Sequence, residues 1–373
     1  MKWWQGVGIA AGAVAVTAGG VVAAHLVLAA IARRRYRLQT IGQSSSPRAS
    51  RRPDGNLAVR NPIITTGQDP WIARVESDGE CPYHYVHTEE VGLLHVARAK
   101  DIFGFDTVAP YYTWNPKDDP STAHLQMLWA PELHCIRGRW VIYFAANSTS
   151  SLLKGTHRMY VLLARDDSDL TKGFEFWGQL VLPGNRWAID GTPFRYAGKL
   201  YYVWSGWEAG RRLHQQLYIC EMADAFRPVD GARAVQISIP SHPWELRGRR
   251  LGFWPSINEG PVELHRGSRH YLVYSASGSW SDHYCLGLLE LTGSDPLDPA
   301  AWTKHAQAVL ESTSDVIAPG HCGFVERGDD LLLLYHAARY SRAGWDREVH
   351  VGKVEFTADG WPVFPRPERE LAI

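Results

Sequence analysis

The most regular feature of the chain is a strand, a turn and a second strand that recur along it. Each copy begins at a glycine-containing turn, continues through aromatic and β-branched residues and ends in small residues. Four close copies are RGRWVIYFAA from Arg137, AGKLYYVWSG from Ala197, RGSRHYLVYSAS from Arg266 and RGDDLLLLYHAA from Arg327, and a looser copy, DGECPYHYVHT, starts at Asp78. Another apolar run follows each copy, without an amphipathic helix pattern between them. This pattern predicts an all-β fold of radial repeats, a five-bladed β-propeller.

A shorter segment with an ionisable residue precedes each repeated strand. The segments are GQDPWI, WAPELH, IDGTPF, NEGPVEL and PGHCGF, and their ionisable residues are Asp69, Glu132, Asp190, Glu259 and His321, at intervals of 58 to 69 residues. Because the first strand of each propeller blade lines the central channel, we expect these side chains to point toward one place. Any one of them, taken alone, is typical of a turn. Several buried carboxylates together are costly unless they are paired, metal-bound or functional, which favours a functional cluster.

The first sixty residues differ from the rest of the chain. From Gly6 to Ala32 almost every residue is Ala, Val, Gly, Leu or Ile, which predicts a transmembrane or signal-anchor helix within residues 1–32, with a cleaved signal segment as the alternative. Residues 33–60 include GQSSSPRASRRPDGN and lack apolar periodicity, so they predict a flexible linker. Residues 61–373 then form one propeller domain, since all-β folds of this length occur as single units.

The charge balance and the aromatic content narrow the class of ligand. Lys plus Arg equals Asp plus Glu at 39 each, so no net field favours nucleic acid or another polyanion. The chain has 16 Trp and 16 Tyr, whose flat rings suit sugar faces but also serve as blade cores. Its five cysteines are widely spaced without a CxxC pair and predict neither a zinc site nor a disulfide framework.

Longer motifs around the ionisable residues carry a family resemblance. They are GQDPWI, WAPELHCIRGRWVIYFAA, IDGTPFRYAGKLYYVWSG, INEGPVELHRGSRHYLVYSASGSW, APGHCGFVERGDDLLLLYHAA and REVHVGKVEFTADGWPVF, which together span Asn61 to Phe364. The chain resembles glycoside hydrolase family 43, a family of arabinofuranosidases, arabinanases and β-xylosidases. SASGSWSDHYCLGLLEL and DPLDPAAW look like the α-L-arabinofuranosidase branch. The WMNDPNG motif of the sucrose-splitting five-bladed enzymes is absent from the sequence.

The resemblance implies an inverting glycoside hydrolase that releases terminal α-L-arabinofuranose from arabinan or arabinose-substituted glycans. A β-xylosidase of the same fold and a non-catalytic carbohydrate-binding propeller are the alternatives. By resemblance, Asp69 is the general base, Glu259 the general acid and Asp190 the residue that modulates the pKa of the acid. The chemistry agrees, because inversion needs a protonated carboxyl at the leaving oxygen and an ionised carboxylate that activates water on the opposite face.

Further residues of the motifs are predicted to bind the sugar or an ion. Glu132 either contacts sugar hydroxyls or supports Asp190, with a structural role as the alternative. Arg347 looks like the family's channel arginine that contacts the sugar, and a surface salt bridge is its alternative. The candidate stacking surfaces are Trp71, Trp129, Phe194 and Trp280, although Trp71 and Trp129 also suit core packing. In the family, the position of His321 sits by a central ion, often calcium, that it reaches directly or through water.

The expected setting is extracytoplasmic, secreted or membrane-anchored. The substrate is an arabinose- or xylose-containing glycan, the N-terminal segment contacts the membrane, and the chain acts as a monomer. No cofactor is required, and a structural Ca²⁺ in the channel is the one ion that the resemblance suggests. The orientation is in conflict, because the arginines from Arg33 to Arg37 outweigh Lys2 and the positive-inside rule then keeps the domain in the cytoplasm.

Overall fold

The computed structural model describes residues 48–53, 56–89, 92–148, 155–208, 214–248 and 255–373. Within these ranges the regular structure consists of β-strands and short 3-10 turns, with no α-helix. The predicted all-β class is therefore confirmed. No helix in the same ranges is long and apolar enough to cross a membrane. The predicted anchor at residues 1–32 lies outside the described residues.

In the described part of the chain, most strands belong to five successive antiparallel meanders of four strands. Sheet 1 contains β3 (Trp71–Arg74), β4 (Tyr83–Thr88), β5 (Leu94–Ala99) and β6 (Tyr112–Trp114). Sheet 2 contains β7 (Gln126–Ile136), β8 (Arg139–Asn147), β9 (Arg158–Ala164) and β10 (Phe174–Gln179). Sheet 3 contains β11 (Ala188–Tyr196), β12 (Lys199–Trp207), β13 (His214–Met222) and β14 (Val235–Ser238).

The last two meanders complete this series. Sheet 4 contains β15 (Ser256–Arg266), β16 (Arg269–Ala276), β17 (Cys285–Leu291) and β18 (Trp302–Lys304). Sheet 5 contains β19 (Ile317–Arg327), β20 (Asp330–Ala338), β21 (Arg347–Phe356) and β22 (Pro362–Val363). A short parallel pairing of β13 with β15 makes sheets 3 and 4 continuous.

Glycine turns join the first and second strands, as the sequence predicts. Arg137 and Gly138 connect β7 to β8 with φ of 51° and 82°, and Ala197 and Gly198 connect β11 to β12 with φ of 49° and 77°. Two successive positive φ values define the hairpin turn whose twist matches that of the strands. The second strands are buried on both faces, as in Val141–Asn147 of β8, and this explains their continuous apolar runs.

Hydrophobic clusters fill the space between every pair of neighbouring sheets. Each cluster draws buried residues from both sheets: Val96 and Phe144 between sheets 1 and 2, Tyr143 and Tyr202 between 2 and 3, Val203 and Leu272 between 3 and 4, Val273 and Leu333 between 4 and 5, and Leu334 and Tyr85 between 5 and 1. The first strands β3, β7, β11, β15 and β19 contact one another in the same cyclic order. The sheets therefore form a closed ring with their first strands at its centre.

Both ends of the described chain meet in a small separate sheet. It contains β1 (Ala49–Arg51), β2 (Leu57–Arg60) and β23 (Glu370–Ala372), with β2 in the middle. Asn61 fixes the start of the ring to its end, because its side-chain amide donates to the carbonyls of Val351 and Glu368 at 2.9 Å. The segment 33–60, predicted as a flexible linker, includes β1 and β2, and the pairing of β2 with β23 is long-range, so it leaves no local periodicity. Residues 33–47 and 54–55 lie outside the described residues.

Candidate active site

A β-bulge interrupts each long inner strand at the level of the ionisable residues. The pairing of β7, β11, β15 and β19 with the next strand shifts register there. A residue with left-handed φ marks each bulge, and Asp69 before β3 shares this conformation: the φ values are 49° at Asp69, 43° at Ala130, 53° at Asp190, 55° at Gly260 and 45° at His321. This conformation costs roughly 1–2 kcal/mol for a residue with a Cβ. Such strain typically redirects side chains next to a functional site.

The ionisable residues do not occupy one equivalent position of the repeat. Asp69, Asp190 and His321 are the left-handed residues themselves. Glu259 lies one residue before its bulge glycine, and Glu132 lies two residues after its bulge alanine. The ionisable residues thus lie at one level along the inner strands but not at one equivalent position of the repeat, because a bulge shifts which residue faces the centre.

Three nitrogen-bearing side chains surround Asp69. Its Oδ1 lies 3.1 Å from His321 Nδ1, 3.4 Å from His336 Nδ1 and 3.8 Å from Arg347 Nη1. Burial alone would raise the pKa of Asp69, but the charges of His321, His336 and Arg347 and the contact with His336 lower it below its ordinary value. The side chain keeps 16% of its surface exposed, so water reaches it. Asp69 is an ionised carboxylate in contact with solvent.

Glu259 is held at both of its oxygens. The Tyr284 hydroxyl donates to Oε1 at 2.7 Å, and the Gln215 side-chain amide donates to Oε2 at 2.6 Å. Burial raises the pKa of Glu259, although these two hydrogen bonds oppose the shift. Glu259 is therefore a fixed carboxyl with an increased tendency to keep a proton.

Asp190 reaches the backbone next to Glu259. Its Oδ2 accepts a hydrogen bond of 3.1 Å from the amide of Gly260. Burial, followed by the charge of Glu259, raises the pKa of Asp190 well above its ordinary value. Two buried carboxyls this closely coupled do not ionise together, so the pair retains a proton at neutral pH. A side chain at Gly260 would be strained, because its φ is positive and a Cβ would lie 3.2 Å from the His321 ring.

Glu132 forms a buried pair with a histidine of its own strand. Its Oε2 lies 2.7 Å from His134 Nε2. Burial raises the pKa of Glu132 and lowers the pKa of His134, each well beyond its ordinary range. Thr192 of β11 donates a side-chain hydrogen bond to Glu132. Glu132 thus links sheet 2 to the strand that carries Asp190.

His321 does not have the surroundings of a calcium ligand. Its Nδ1 contacts Asp69, and burial lowers its pKa. Calcium takes six to eight oxygen ligands. In the described ranges no group of three or more His, Cys, Asp or Glu side chains is placed to hold a metal. The contact with Asp69 fits an orienting role for His321, and an ion held there through water stays a prediction.

Arg347 lies beside Asp69 and against Tyr284, which binds Glu259. It is 7% exposed, its Nη2 donates to the Ser279 carbonyl at 2.7 Å, and its guanidinium lies 5.5 Å from the centre of the Tyr284 ring. Its other amino group faces Asp69. The alternative of a surface salt bridge is therefore wrong, because Arg347 is buried at the centre of the ring.

The aromatic residues predicted to stack on the sugar lie in different surroundings. Phe194 is fully buried and packs against Trp302 between sheets 3 and 4, so the prediction that it contacts the sugar is wrong. Trp71 donates its indole N–H to the Leu133 carbonyl at 2.9 Å and joins the hydrophobic clusters of sheet 1. The sequence could not separate these residues, because core and channel aromatics occur in the same motifs.

Two further predicted tryptophans remain near the site. Trp280 is 8% exposed and donates to the Gly248 carbonyl at 2.9 Å, so it supports the loop that holds Arg347. Trp129, three residues before Glu132, stacks on the His157 ring with 3.8 Å between centroids. Trp129 is partly exposed.

Sequence reasoning missed the residues that hold the carboxylates. Tyr284 and Gln215 bind Glu259, and His336 accepts the backbone N–H of Asp69 at 3.1 Å. His336 pairs with the residue before the bulge, the place that small residues Ser205 and Ser275 take in other sheets. The sequence carried one signal of this role: His336 stands near the end of a repeated strand, where other copies have a small residue.

The arrangement brings together an ionised, solvent-accessible carboxylate and a buried carboxyl pair that retains a proton. One group is suited to accept a proton from water, and the other to donate a proton to a leaving oxygen. Opposed pKa shifts of this kind mark an acid and a base in one site.

Comparisons with known proteins identify the family of this chain. The model of the family described as glycosyl hydrolases family 43 matches residues 59–362. An extracellular exo-α-(1→5)-L-arabinofuranosidase of Streptomyces avermitilis is 32% identical over 354 residues, which cover 91% of this chain and 69% of that protein. A protein of the same name from Streptomyces chartreusis is 32% identical, over 75% of this chain and 82% of its own length.

Solved structures show the same relationship. The crystal structure of α-L-arabinofuranosidase from Lactobacillus brevis has 31% sequence identity and a TM-score of 0.72, covering 83% of this chain and 97% of that chain. A xylan β-1,4-xylosidase from Bacillus halodurans shares the fold with a TM-score of 0.63 at 18% identity, over 84% of this chain and 59% of that chain.

Proposed function

This chain belongs to glycosyl hydrolases family 43 and is a glycosidase, and we propose that it releases terminal α-L-arabinofuranose with inversion of the anomeric centre. The observation that carries the proposal is the pair of opposed electrostatic environments around Asp69 and Glu259. The arabinose preference rests on relatives named arabinofuranosidases, which are 31–32% identical to this chain. The structure named a xylan β-1,4-xylosidase has only 18% sequence identity.

Asp69 acts as the general base. Its carboxylate removes a proton from a water molecule while the water oxygen attacks the anomeric carbon on the face opposite the leaving group. His321, His336 and Arg347 keep the carboxylate ionised and fix its orientation. The proton that Asp69 gains returns to solvent through its exposed side.

Glu259 acts as the general acid. It donates its proton to the glycosidic oxygen as the bond to the anomeric carbon breaks, so the leaving group departs as a neutral alcohol. Asp190 keeps this proton available, because ionisation of both carboxyls would bring two buried negative charges together. Tyr284 and Gln215 hold the carboxyl in place during the transfer.

Arg347 and Glu132 complete the sugar site. Arg347 presents a cation near Asp69 that can bind a sugar hydroxyl, and Trp129 offers a partly exposed ring at the same level. Glu132 supports the strand of Asp190 through Thr192. The reaction needs no cofactor, and no step passes through an ion at His321.

Aryl glycosides test the substrate assignment. Hydrolysis of an aryl α-L-arabinofuranoside at a kcat/KM at least about tenfold above that of the aryl β-D-xyloside is expected. The reverse preference would make the chain a β-xylosidase, and absence of turnover on both would favour a carbohydrate-binding protein without catalysis.

The five sheets are the blades of a five-bladed β-propeller, and the chain acts as a monomer outside the cytoplasm. The closed cycle of hydrophobic clusters supports the propeller, and the Streptomyces relatives named extracellular support the location.

The apolar segment within residues 1–32 anchors the protein to the membrane. Full-length protein should then fractionate with membranes, and a chain lacking residues 1–47 should be soluble and active; unprocessed full-length protein in the soluble fraction would contradict the anchor.

A further inference from the structure

A second group of buried polar side chains is centred on Glu245. This residue is fully buried in the short 3-10 turn Pro243–Leu246, which lies between sheets 3 and 4 in the chain. Its Oε1 accepts a hydrogen bond of 2.8 Å from Lys304 Nζ. The same oxygen accepts hydrogen bonds from the Asn258 side-chain amide at 2.9 Å and from the Tyr274 hydroxyl at 3.0 Å. None of these residues takes part in the proposed hydrolysis.

Glu245 and Lys304 form an ion pair whose remaining polar atoms are also bonded. Glu245 Oε2 accepts the backbone N–H groups of Ser241 at 2.7 Å and His242 at 2.8 Å, and Lys304 donates to the Ile239 carbonyl at 2.7 Å. Burial alone would raise the pKa of Glu245, but the charge of Lys304 and these hydrogen bonds lower it. Removing two charges from water is costly, so the pair is stable only in this one geometry.

Asn258 connects the ion pair to the proposed acid. It is fully buried and immediately precedes Glu259 on β15. Its Oδ1 accepts hydrogen bonds from the Ser238 hydroxyl at 2.8 Å and from Lys304 Nζ at 3.3 Å. Its Nδ2 donates to Glu245. Both ends of the amide are therefore held.

The backbone of Asn258 is held as well. The Ser205 hydroxyl of β12 donates to the Asn258 carbonyl at 2.8 Å. Ser205 and Ser238 belong to sheet 3, whereas Lys304 belongs to sheet 4, so Asn258 is fixed between two neighbouring sheets. Successive side chains of a strand point to opposite faces. Fixing Asn258 on one face of β15 thus fixes the direction of Glu259 on the other.

The β-bulge next to Glu259 makes such an anchor useful. The pairing of β15 shifts register between Glu259 and Val262, and Gly260 has a left-handed φ of 55°. Apolar packing is non-directional, whereas hydrogen bonds to an amide hold a strand in one position. A displacement of about 1 Å at a reacting group can lower the rate about a hundredfold. Hydrogen bonds to the residue before the bulge oppose that displacement.

We propose that Asn258 is a positioning residue for the proposed acid Glu259, and that the Glu245–Lys304 ion pair holds it in place together with Ser205 and Ser238. The network sets the distance from the acid to the leaving oxygen without contacting the substrate. The inference rests on the proposed function, because it takes Glu259 as the proton donor.

The dependence of the rate on the leaving group tests this role. The kcat and KM of the full chain are measured on arabinobiose, whose leaving group needs a proton, and on dinitrophenyl arabinofuranoside, whose leaving group does not. Asn258→Leu removes the amide and should lose about a hundredfold in kcat on arabinobiose, but less than about fivefold on the aryl glycoside.

Two milder variants leave the ion pair and the amide intact. Ser205→Ala and Ser238→Ala each remove one hydrogen bond to Asn258. Each should lose about fivefold in kcat on arabinobiose, with the aryl glycoside and both KM values within about twofold. These variants decide the matter if Asn258→Leu fails to fold.

Glu290→Gln is the matched control. Glu290 forms a 2.7 Å ion pair with Arg269 that joins β16 to β17 in the same sheet, outside the network. Its loss should leave both substrates within about twofold. Equal losses on both substrates in the folded network variants would reduce the network to a structural role, and no loss in any of them would also overturn the inference.

Glu259→Ala, measured in parallel, separates this inference from the proposed function. If Glu259→Ala loses equally on both substrates, Glu259 is not the acid, and the positioning role is wrong with it. If Glu259→Ala is selective against arabinobiose while the Asn258, Ser205 and Ser238 variants are not, the proposed function stands and the positioning role alone is wrong.

Discussion

The Tyr284 hydroxyl donates a 2.7 Å hydrogen bond to Glu259 Oε1, and the same ring lies 5.5 Å from the guanidinium of Arg347. Arg347 in turn faces Asp69. The proposed acid and base are thus connected by one tyrosine and one arginine from two different sheets. A change at Tyr284 should therefore alter proton affinity at Glu259 without removing either carboxyl.

Tyr284→Phe removes this hydrogen bond and should raise the pKa of Glu259, because the bond stabilises the ionised carboxylate. The basic limb of the kcat–pH profile should move upward by about one pH unit, since a hydrogen bond to a charged group is worth roughly 1.5 kcal/mol. A pH–rate profile on an aryl arabinofuranoside measures the shift. A fall in kcat with an unmoved basic limb would reduce Tyr284 to a structural role.

Asp190→Asn should move the basic limb in the opposite direction. The last proton of the Asp190–Glu259 pair is held because its loss creates a second buried negative charge. An uncharged amide removes that repulsion, so Glu259 loses its proton at a lower pH. Glu263→Gln is the control. Glu263 lies on β15, as Glu259 does, and burial raises its pKa to about 7, but it lies outside the proposed mechanism. The pH–rate profile of this variant should match that of wild type.

Asp69→Asn keeps the shape of the side chain but removes its basicity. The kcat should fall by at least about a hundredfold, as expected for loss of a general base. The melting temperature, measured in parallel, identifies a folded variant. Near-normal turnover in a folded Asp69→Asn protein would assign the base elsewhere.

Glu259→Ala should separate substrates by leaving group. Natural linkages leave as alkoxides that need a proton, so their kcat/KM should fall by about a thousandfold or more, whereas an activated aryl glycoside should lose much less. Dinitrophenyl arabinofuranoside and arabinobiose are the substrates to compare. Equal losses on both would argue against proton donation by Glu259.

The stereochemistry of the first product tests the inverting mechanism. Attack by water opposite the leaving group should give β-arabinose from an α-linked substrate, without a covalent intermediate. Proton NMR early in the reaction, before mutarotation, identifies the anomer. An α-anomeric first product, or a sugar trapped on Asp69, would establish retention and change the role of Asp69 to a nucleophile.

The sequence by itself determined the all-β class, the repeat and the inner-strand acids. Repetition of apolar strands at glycine turns is a local signal, and a buried carboxylate is unusual enough to stand out within it. The motifs around Asp69, Asp190 and Glu259 also carried the family resemblance. These features depend on neighbouring residues, so they can be read along the chain.

Tertiary structure decided what surrounds those acids. The contacts of Asp69 with His336 and of Glu259 with Gln215 join residues 267 and 44 positions apart, and the resulting pKa shifts depend on that packing. The burial of Phe194 between two sheets and the pairing of β2 with the C-terminal strand β23 are likewise long-range. Burial and charge act through space rather than along the chain. The protonation of each carboxyl therefore depends on the folded structure.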